Sequence, residues 1–569
     1  MHSTMQNVPL SAARLLRHST STHGDSLVAT WRGDHFERTT YGQVGRRAAQ
    51  LARALRDELG VHTGTRPEAD QSVVGTLMWN NSRHLESFLG VPSMGAVLHT
   101  LNVRITTQQL AYIINHAGDE VVVVDGDLTG QLGAALPHLS GKLRHIIVAG
   151  AADPEALAHF TGFVHDYEDL LAQHPADYPW AEDLDERTAA AMCYTSGTTG
   201  EPKGVVYSHR ALYLQSLHLV SPDGWNMSAR DTVLPIVPMF HVNGWGLPHS
   251  AAHVGAALLL PDRHLQPRPL AQMIEQGRPT FAAGVPTVWT ALHQELGTGR
   301  YDTSSLQRVA TGGSACPPAL MRSYHDRYGI DFVHSWGMTE TLGLASAAIA
   351  PSGLPAEQQW SYRSTQGRFP AYVQYRLTAP DGETVPHDGV STGELELRGP
   401  SITGAYHGGT AGQPARPTDS FSPDGWLRTG DVARISRDGF LTLTDRAKDV
   451  IKSGGEFISS VDLENRLTEH PAVFEAAVIA VPDPHWGERP LAALTYCEGA
   501  CAQLRELSDF LAQHLSAWQV PEQWAVLPAI PKTPVGKIDK KLLRQQYADG
   551  ALPVARLERR SRAERGPSR

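Results

Sequence analysis

The sequence predicts an α/β fold: a large N-terminal α/β domain of several subdomains, closed by a β-rich subdomain, and a small α+β domain at the C-terminus. Three observations predict it. A chain of 569 residues is too long for one ordinary core. Short apolar runs alternate with amphipathic helical stretches through its first half. Near residue 380 that alternation gives way to brief β-like runs separated by Asp-Gly pairs.

Taken in order, residues 42–60 place Val44, Ala48, Leu51, Ala52, Leu55 and Leu59 at helical spacing, which predicts an amphipathic helix. The apolar runs Val73–Met78, Val121–Val124 and Ile146–Ala149 read as strands buried on both faces of a parallel sheet. The same alternation resumes with Val233–Val237, Ala256–Leu260 and a helix around Leu270–Ile274. Tyr375–Leu377, Gly393–Arg398 and Phe440–Thr444 are the β-like runs, with Asp-Gly turns at 381, 424 and 438. A boundary is expected near Asp445, dividing the chain into domains 1–444 and 445–549. Beyond it, Ser459 and Asp462 cap a helix carrying Val461, Leu463 and Leu467; Pro471 ends it, and Val473–Val481 returns as a strand. Residues 550–569 hold six arginines and few large apolar groups after Leu557, which predicts a disordered tail.

Composition excludes several classes of function. With 41% hydrophobic and 19% charged residues the chain is globular, and a formal charge of −10 argues against a dedicated nucleic-acid binder. No apolar run has the length of a signal peptide core or a membrane span, so a cytoplasmic protein is expected. Cys193, Cys316, Cys497 and Cys501 lack zinc-like spacing and read as reduced thiols. The 27 histidines contain no H-E-x-x-H pair.

Chemistry concentrates in Tyr194-Thr-Ser-Gly-Thr-Thr-Gly-Glu-Pro-Lys-Gly204. Glycines let backbone N–H groups approach an anion, hydroxyls add donors and Lys203 supplies charge, a composition suited to a polyphosphate. It does not follow the Walker pattern, because Pro202 and Lys203 follow the second glycine differently. A Gly/Ser/Thr-rich linker is the ordinary alternative, but linkers rarely end in Pro-Lys-Gly before an apolar strand (Val205, Val206, Tyr207).

This loop resembles the signature loop of the adenylate-forming superfamily, which includes acyl-CoA synthetases, luciferases and peptide-synthetase adenylation domains. Four further stretches match in the family's order: Trp336-Gly-Met-Thr-Glu340, Arg428-Thr-Gly-Asp431, Asp445 to Ser459, and Pro534-Val-Gly-Lys-Ile538. The resemblance spans roughly residues 10 to 545. It implies that Thr195, Ser196, Gly197, Thr198, Thr199, Gly200 and Lys203 hold the β- and γ-phosphates of ATP. Glu340, with Thr198, would bind Mg²⁺, and Thr339 would contact the α-phosphate. Gly312, Gly313, Ser314, Trp336, Gly337 and Met338 would surround adenine; the family usually has Tyr at 336, and Trp keeps the aromatic face without the hydroxyl. Asp431 would accept from both ribose hydroxyls, supported by Arg446. Lys537 would reach the substrate carboxylate and α-phosphate as a flexible point charge. The small domain would rotate about Lys448, bringing Gly454, Gly455 and Glu456 to the site for transfer to coenzyme A. Each residue type also has an ordinary use. Glu340 could cap a helix, Asp431 could be a turn residue, Arg446 a surface ion pair, and Lys537 part of a solvated basic face.

For the acid, Pro238–Leu247 (with His241, Val242, Asn243, Gly244 and Trp245) and Phe281–Trp289 (with Gly284 and Val285) are expected to line an apolar pocket, although core packing uses the same residue types. No carboxylate lies between 238 and 247 to hold a substrate ammonium, which argues against an amino acid substrate. His241–Trp245, Ala283–Trp289 and Lys452–Asn465 narrow the resemblance to bacterial medium- and long-chain fatty acyl-CoA synthetases, in which the aromatic at position 245 gates the acyl tunnel and dimers form through the N-terminal segment. The implied activity is an ATP-dependent acyl-CoA synthetase that converts a medium- or long-chain fatty acid to acyl-CoA through an acyl-adenylate, releasing AMP and pyrophosphate. Its partners are the acid, ATP, Mg²⁺ and coenzyme A, with no nucleic acid and no transmembrane segment, and a homodimer is implied. The rivals are a CoA ligase for an aryl, branched or sulfur-containing acid, and a non-catalytic nucleotide- or acyl-binding regulator.

Overall fold

The computed structural model describes residues 1, 3–67, 69–195, 201–408, 415, 417, 419–446, 449–453, 456–533 and 536–557. They group into two compact units. The first comprises residues 1–313, 324–375 and 397–427; the second comprises 314–323, 376–396 and the chain from 428 onward.

The first unit holds two sheets. Across the larger one the strands run Gly343–Ala347, Asp331–Met338, Arg308–Thr311, Phe281–Gly284, Thr232–Pro235, Ala257–Leu260, Leu27–Trp31 and Phe36–Thr40. The inner six are parallel and the two edge strands antiparallel. The second sheet runs Phe163–Asp166, His145–Ala149, Asp119–Asp125, Val73–Leu77, Val97–Thr100, Ala189–Tyr194 and Gly204–Ser208, parallel except for its last strand. The Val/Ile/Leu runs form these parallel strands because helices cover both faces and leave no polar side to alternate with. The helix expected over 42–60 is Tyr41–Arg53, started by a Thr40/Gln43 capping box, and it continues as one π-helical turn, Ala54–Glu58. A helix that periodicity did not single out, Ala12–Ser21, buries Ala12, Ala13, Leu15 and Leu16. One buried cluster joins residues of both sheets, among them Val74, Val121, Val233 and Ala283.

A five-stranded sheet, most of whose residues belong to the second unit, runs Thr384–Val385, Gln374–Thr378, Gly393–Arg398, Leu427–Ile435 and Leu441–Arg446. A second sheet is built on the long antiparallel pair Val473–Asp483 and Gly487–Tyr496. Ser459 caps the helix Ser460–Thr468 by accepting from Asp462 N, and the helix buries Leu463 and Leu467. Polar contacts cross the boundary expected near Asp445. The buried Asp445 carboxylate accepts from Ser460 N (2.6 Å) and Ser460 Oγ (3.0 Å), while Lys540 Nζ pairs with Glu464 (2.7 Å) and reaches Ser460 Oγ. The end of the chain departs from the expected disordered tail. Val554–Arg556 is a strand paired with Gln523–Val526, and Leu552 is buried; residues 558–569 lie outside the described residues. No helix among the described residues is long and apolar enough to cross a membrane.

Candidate active site

In the larger sheet the carboxyl ends of the parallel strands place Pro235, Gly284, Thr311 and Met338 along one edge, where open α/β sheets bind ligands. Gly312 and Gly313 follow Thr311, and Trp336–Met338 end the neighbouring strand. A bulge between Trp336 and Gly337 brings the chain so close to its partner that a Cβ at Gly337 would stand 1.5 Å from Gly343 O. Trp336 is buried edge-on to Phe369, with centroids 6.1 Å apart. The bulge delivers Thr339–Thr341 as a tight turn, held when Tyr207 OH donates to Thr339 O (2.7 Å).

The stem of the glycine-rich loop is an antiparallel pair, Ala189–Tyr194 with Gly204–Ser208. It closes where Thr195 N donates to Lys203 O and Lys203 N to Thr195 Oγ1, both at 3.0 Å. Ser196, Gly197, Thr198, Thr199 and Gly200 lie outside the described residues. Lys203 Nζ reaches Ser420 Oγ (3.3 Å) and stands 4.8 Å from the centroid of the Tyr406 ring. The hydroxyl of Tyr406 donates to Glu340 Oε1 (2.7 Å). Burial, with the Glu340 charge second, holds the Tyr406 phenol far above the usual tyrosine range, so it acts as a fixed donor. Tyr406 thus keeps the ammonium on its ring face and the carboxylate at its hydroxyl. Lys203 and Glu340 are positioned together without neutralising each other.

This donor set fits a magnesium ion. Glu340 is 7% exposed and spends one carboxylate oxygen on Tyr406, leaving the other without a hydrogen-bond partner among the described residues. A hard cation bound by one carboxylate and phosphate oxygens needs no more from the protein. When bound it would neutralise charge on the triphosphate, and Thr198, the second expected ligand, lies outside the described residues.

The expected acyl segment has unusual backbone. Val242, Asn243, Gly244, Trp245 and Gly246 all have positive φ, between 37° and 75°, in a short left-handed turn. Left-handed geometry costs about 1–2 kcal/mol for each non-glycine residue, so packing must impose it. All five are buried, and Asn243 Oδ1 has no partner among the described residues. Behind Gly284, the Trp289 indole donates to Gly284 O (3.0 Å) and lies 3.3 Å from where a Cβ would stand. Phe240 and His241 line a small cleft of about 20 Å³ with Thr195 and Pro202, so the acyl segment and the loop stem border one space.

The second unit holds Ser314, Asp431, Arg446, Glu456 and Lys537. Asp431 and Arg446 face each other on adjacent strands, with Nε to Oδ1 at 2.9 Å, and the Asp431 carboxylate is buried. Glu456 is exposed on the short strand Glu456–Ile458. Lys537 closes a tight loop: Thr533 N donates to Lys537 O (2.7 Å) and Lys537 N to Thr533 Oγ1 (3.2 Å). Lys448, Gly454 and Gly455 lie outside the described residues. Two members have no forewarning in the sequence: no motif surrounds Tyr406, and Tyr207 reads only as part of the apolar strand after the glycine-rich loop.

Comparison with known proteins gives two family matches: "AMP-binding enzyme" over residues 16–407 and "AMP-binding enzyme C-terminal domain" over residues 462–537. Among curated proteins, a 3-methylmercaptopropionyl-CoA ligase of Ruegeria pomeroyi is 41% identical over 96% of this chain and 98% of its own length. A long-chain-fatty-acid–CoA ligase of Thermus thermophilus is 40% identical over 96% and 97%. Among solved structures, the anthranilate CoA ligase AuaEII in complex with anthranoyl-AMP shares the fold, with a TM-score of 0.84 at 24% identity over 97% of this chain and 100% of that one.

Proposed function

The chain belongs to the AMP-binding enzyme family and is an ATP-dependent, AMP-forming acyl-CoA ligase working through an acyl-adenylate; from that premise we propose that its acid is an unbranched, uncharged aliphatic one, a medium- or long-chain fatty acid. The carrying observation is the Val242–Gly246 turn. It is buried and contains no ionisable side chain, and the residues just before it, Phe240 and His241, line the cleft shared with the loop stem. A second reading, a short thioether acid, is favoured by the relatives named for 3-methylmercaptopropionate. The two differ in pocket depth rather than chemistry, because a thioether sulfur replaces a methylene with little change in polarity.

On this reading Lys203 and the Ser196–Gly200 segment hold the triphosphate, and Glu340 holds its magnesium ion. The acid carboxylate attacks the α-phosphorus, pyrophosphate leaves, and Lys537 steadies the charge gathering on the carboxylate and α-phosphate oxygens. The coenzyme A thiol then displaces AMP, after the small domain turns about Lys448 and presents Gly454–Glu456. Asp431 and Arg446 hold the ribose, and Trp336 packs on adenine.

The test is kcat/KM for pyrophosphate release over straight-chain acids and 3-methylmercaptopropionate, for the wild type and Trp245→Ala. A shaped pocket should discriminate about tenfold per methylene near its limit. Trp245→Ala should move the optimum to longer acids; an unchanged length profile would remove Trp245 as the determinant of depth.

A further inference from the structure

We infer that Gln215 is a positioning residue that fixes the acyl turn against the Glu340 turn, so that the bound acid meets the nucleotide in register. The inference rests on the reading above that Val242–Gly246 receives the acyl chain.

Gln215 lies on the helix His209–Val220, which follows directly from the strand Gly204–Ser208 leaving the glycine-rich loop. Its side chain is buried at 2% exposure between the left-handed Val242–Gly246 turn and the Leu342–Gly343 step, where both residues have positive φ. On one side Gln215 Nε2 donates to Leu342 O, just beyond Thr339–Thr341, where Leu342 itself has φ 57°. On the other side its Oε1 stands only 2.5 Å from where a Cβ on Gly246 would be. The turns also touch each other: a Cβ on Gly343 would meet Trp245 Cα at 3.3 Å, Gln215 Nε2 and Val242 Cγ1 both at 3.4 Å. One carboxamide is therefore wedged where glycines give it room, bonded to one turn and packed on the other. Tyr207, on the strand leading into the same helix, holds the Glu340 turn a second time through Thr339 O.

The geometry matters because adenylation needs the carboxylate within about 3–3.5 Å of the α-phosphorus, and an error near 1 Å costs about a hundredfold in rate. Leu342 and the non-glycine residues of the acyl turn hold conformations they would not choose alone, so their seat depends on what lies between them. A glutamate at 215 has the same shape but no donor for Leu342 O, and a methionine has neither donor nor acceptor.

The experiment measures pyrophosphate release with pentanoate and with octanoate for the wild type, Gln215→Glu and Gln215→Met. The ratio of the two kcat/KM values does not depend on how much of a preparation is folded, so a merely structural role leaves it unmoved. The expected result is a ratio shifted at least about fivefold, with kcat lowered at least about tenfold. A ratio and kcat within twofold of wild type overturn the inference. If neither variant yields folded protein, Gln215→Asn keeps the carboxamide but shortens its reach to Leu342 O. The same shift in ratio supports the inference, and an unmoved ratio overturns it. A wild type that releases no pyrophosphate with any acid contradicts the acyl reading, and the inference falls with it. An active wild type with unmoved variants overturns the inference alone.

Discussion

Tyr406 separates the two charges most exposed to mutual quenching, Lys203 at its ring and Glu340 at its hydroxyl. Tyr406→Phe keeps the ring and removes the donor. Pyrophosphate release should fall about tenfold while the melting temperature stays within a few degrees, since one lost hydrogen bond is worth about 1–3 kcal/mol when its partner is charged. Glu340→Gln should cost about 10²–10³ in kcat and raise the magnesium concentration needed for half-maximal rate. Initial rates across a magnesium series check both; a Glu340→Gln enzyme within threefold of wild type would remove Glu340 as the metal ligand. Lys203 and Glu340 were legible because each sits in a short motif whose residue types declare its chemistry. Tyr406 was not, because it lies 66 residues from Glu340 and only the fold brings its hydroxyl there.

Among the elements, apolar runs located strands such as Val73–Leu77 and Thr232–Pro235, since a buried parallel strand writes itself as consecutive apolar residues. The left-handed turn at Val242–Gly246 left no such trace. Val242 and Trp245 adopt positive φ against their own preference, and tertiary packing decides it. The strand Val554–Arg556 was hidden by the arginines that follow it. The bulge at Gly337 gives an element-scale prediction. Gly337→Ala drives a methyl into Gly343 O, so the strands must part and the Thr339–Thr341 turn must move. The cost should be about 1–3 kcal/mol by analogy with overpacking, with a larger loss of adenylation than of stability. Thermal melts and rates on the same preparation check it, and a variant with wild-type values for both would contradict the close approach.

For the whole molecule, buried histidines set the acid limit. Burial pushes His84, His249 and His334 down to about 4 and His209 down to about 3. An unfolded histidine takes its proton near 6.5, so between that value and about 4 the unfolded chain binds more protons than the native one. Stability is full above 6.5 and falls as pH drops through this window. Asp125, pushed up to about 7 by burial, works in the opposite sense: its contribution is full below 3.8 and fades as pH rises through 7. His218, also pushed down to about 4 by burial, acts with the four histidines, and the carboxyls of Glu86, Asp119, Asp262, Asp445 and Glu464, raised by burial, act with Asp125. His249→Gln should therefore lose less melting temperature than the wild type between pH 6.5 and 4.5 in calorimetry, and equal losses would contradict a buried neutral His249.

On the proposed reading this chain adenylates an apolar acid and passes it to a thiol. Pyrophosphate release with ATP and Mg²⁺, measured over acids from acetate to palmitate, 3-methylmercaptopropionate and benzoate, with and without coenzyme A, tests it most directly. The predicted result is acid-dependent release that favours unbranched aliphatic acids, with acyl-CoA formed only when coenzyme A is present. Nucleotide binding without pyrophosphate release on any acid would contradict it.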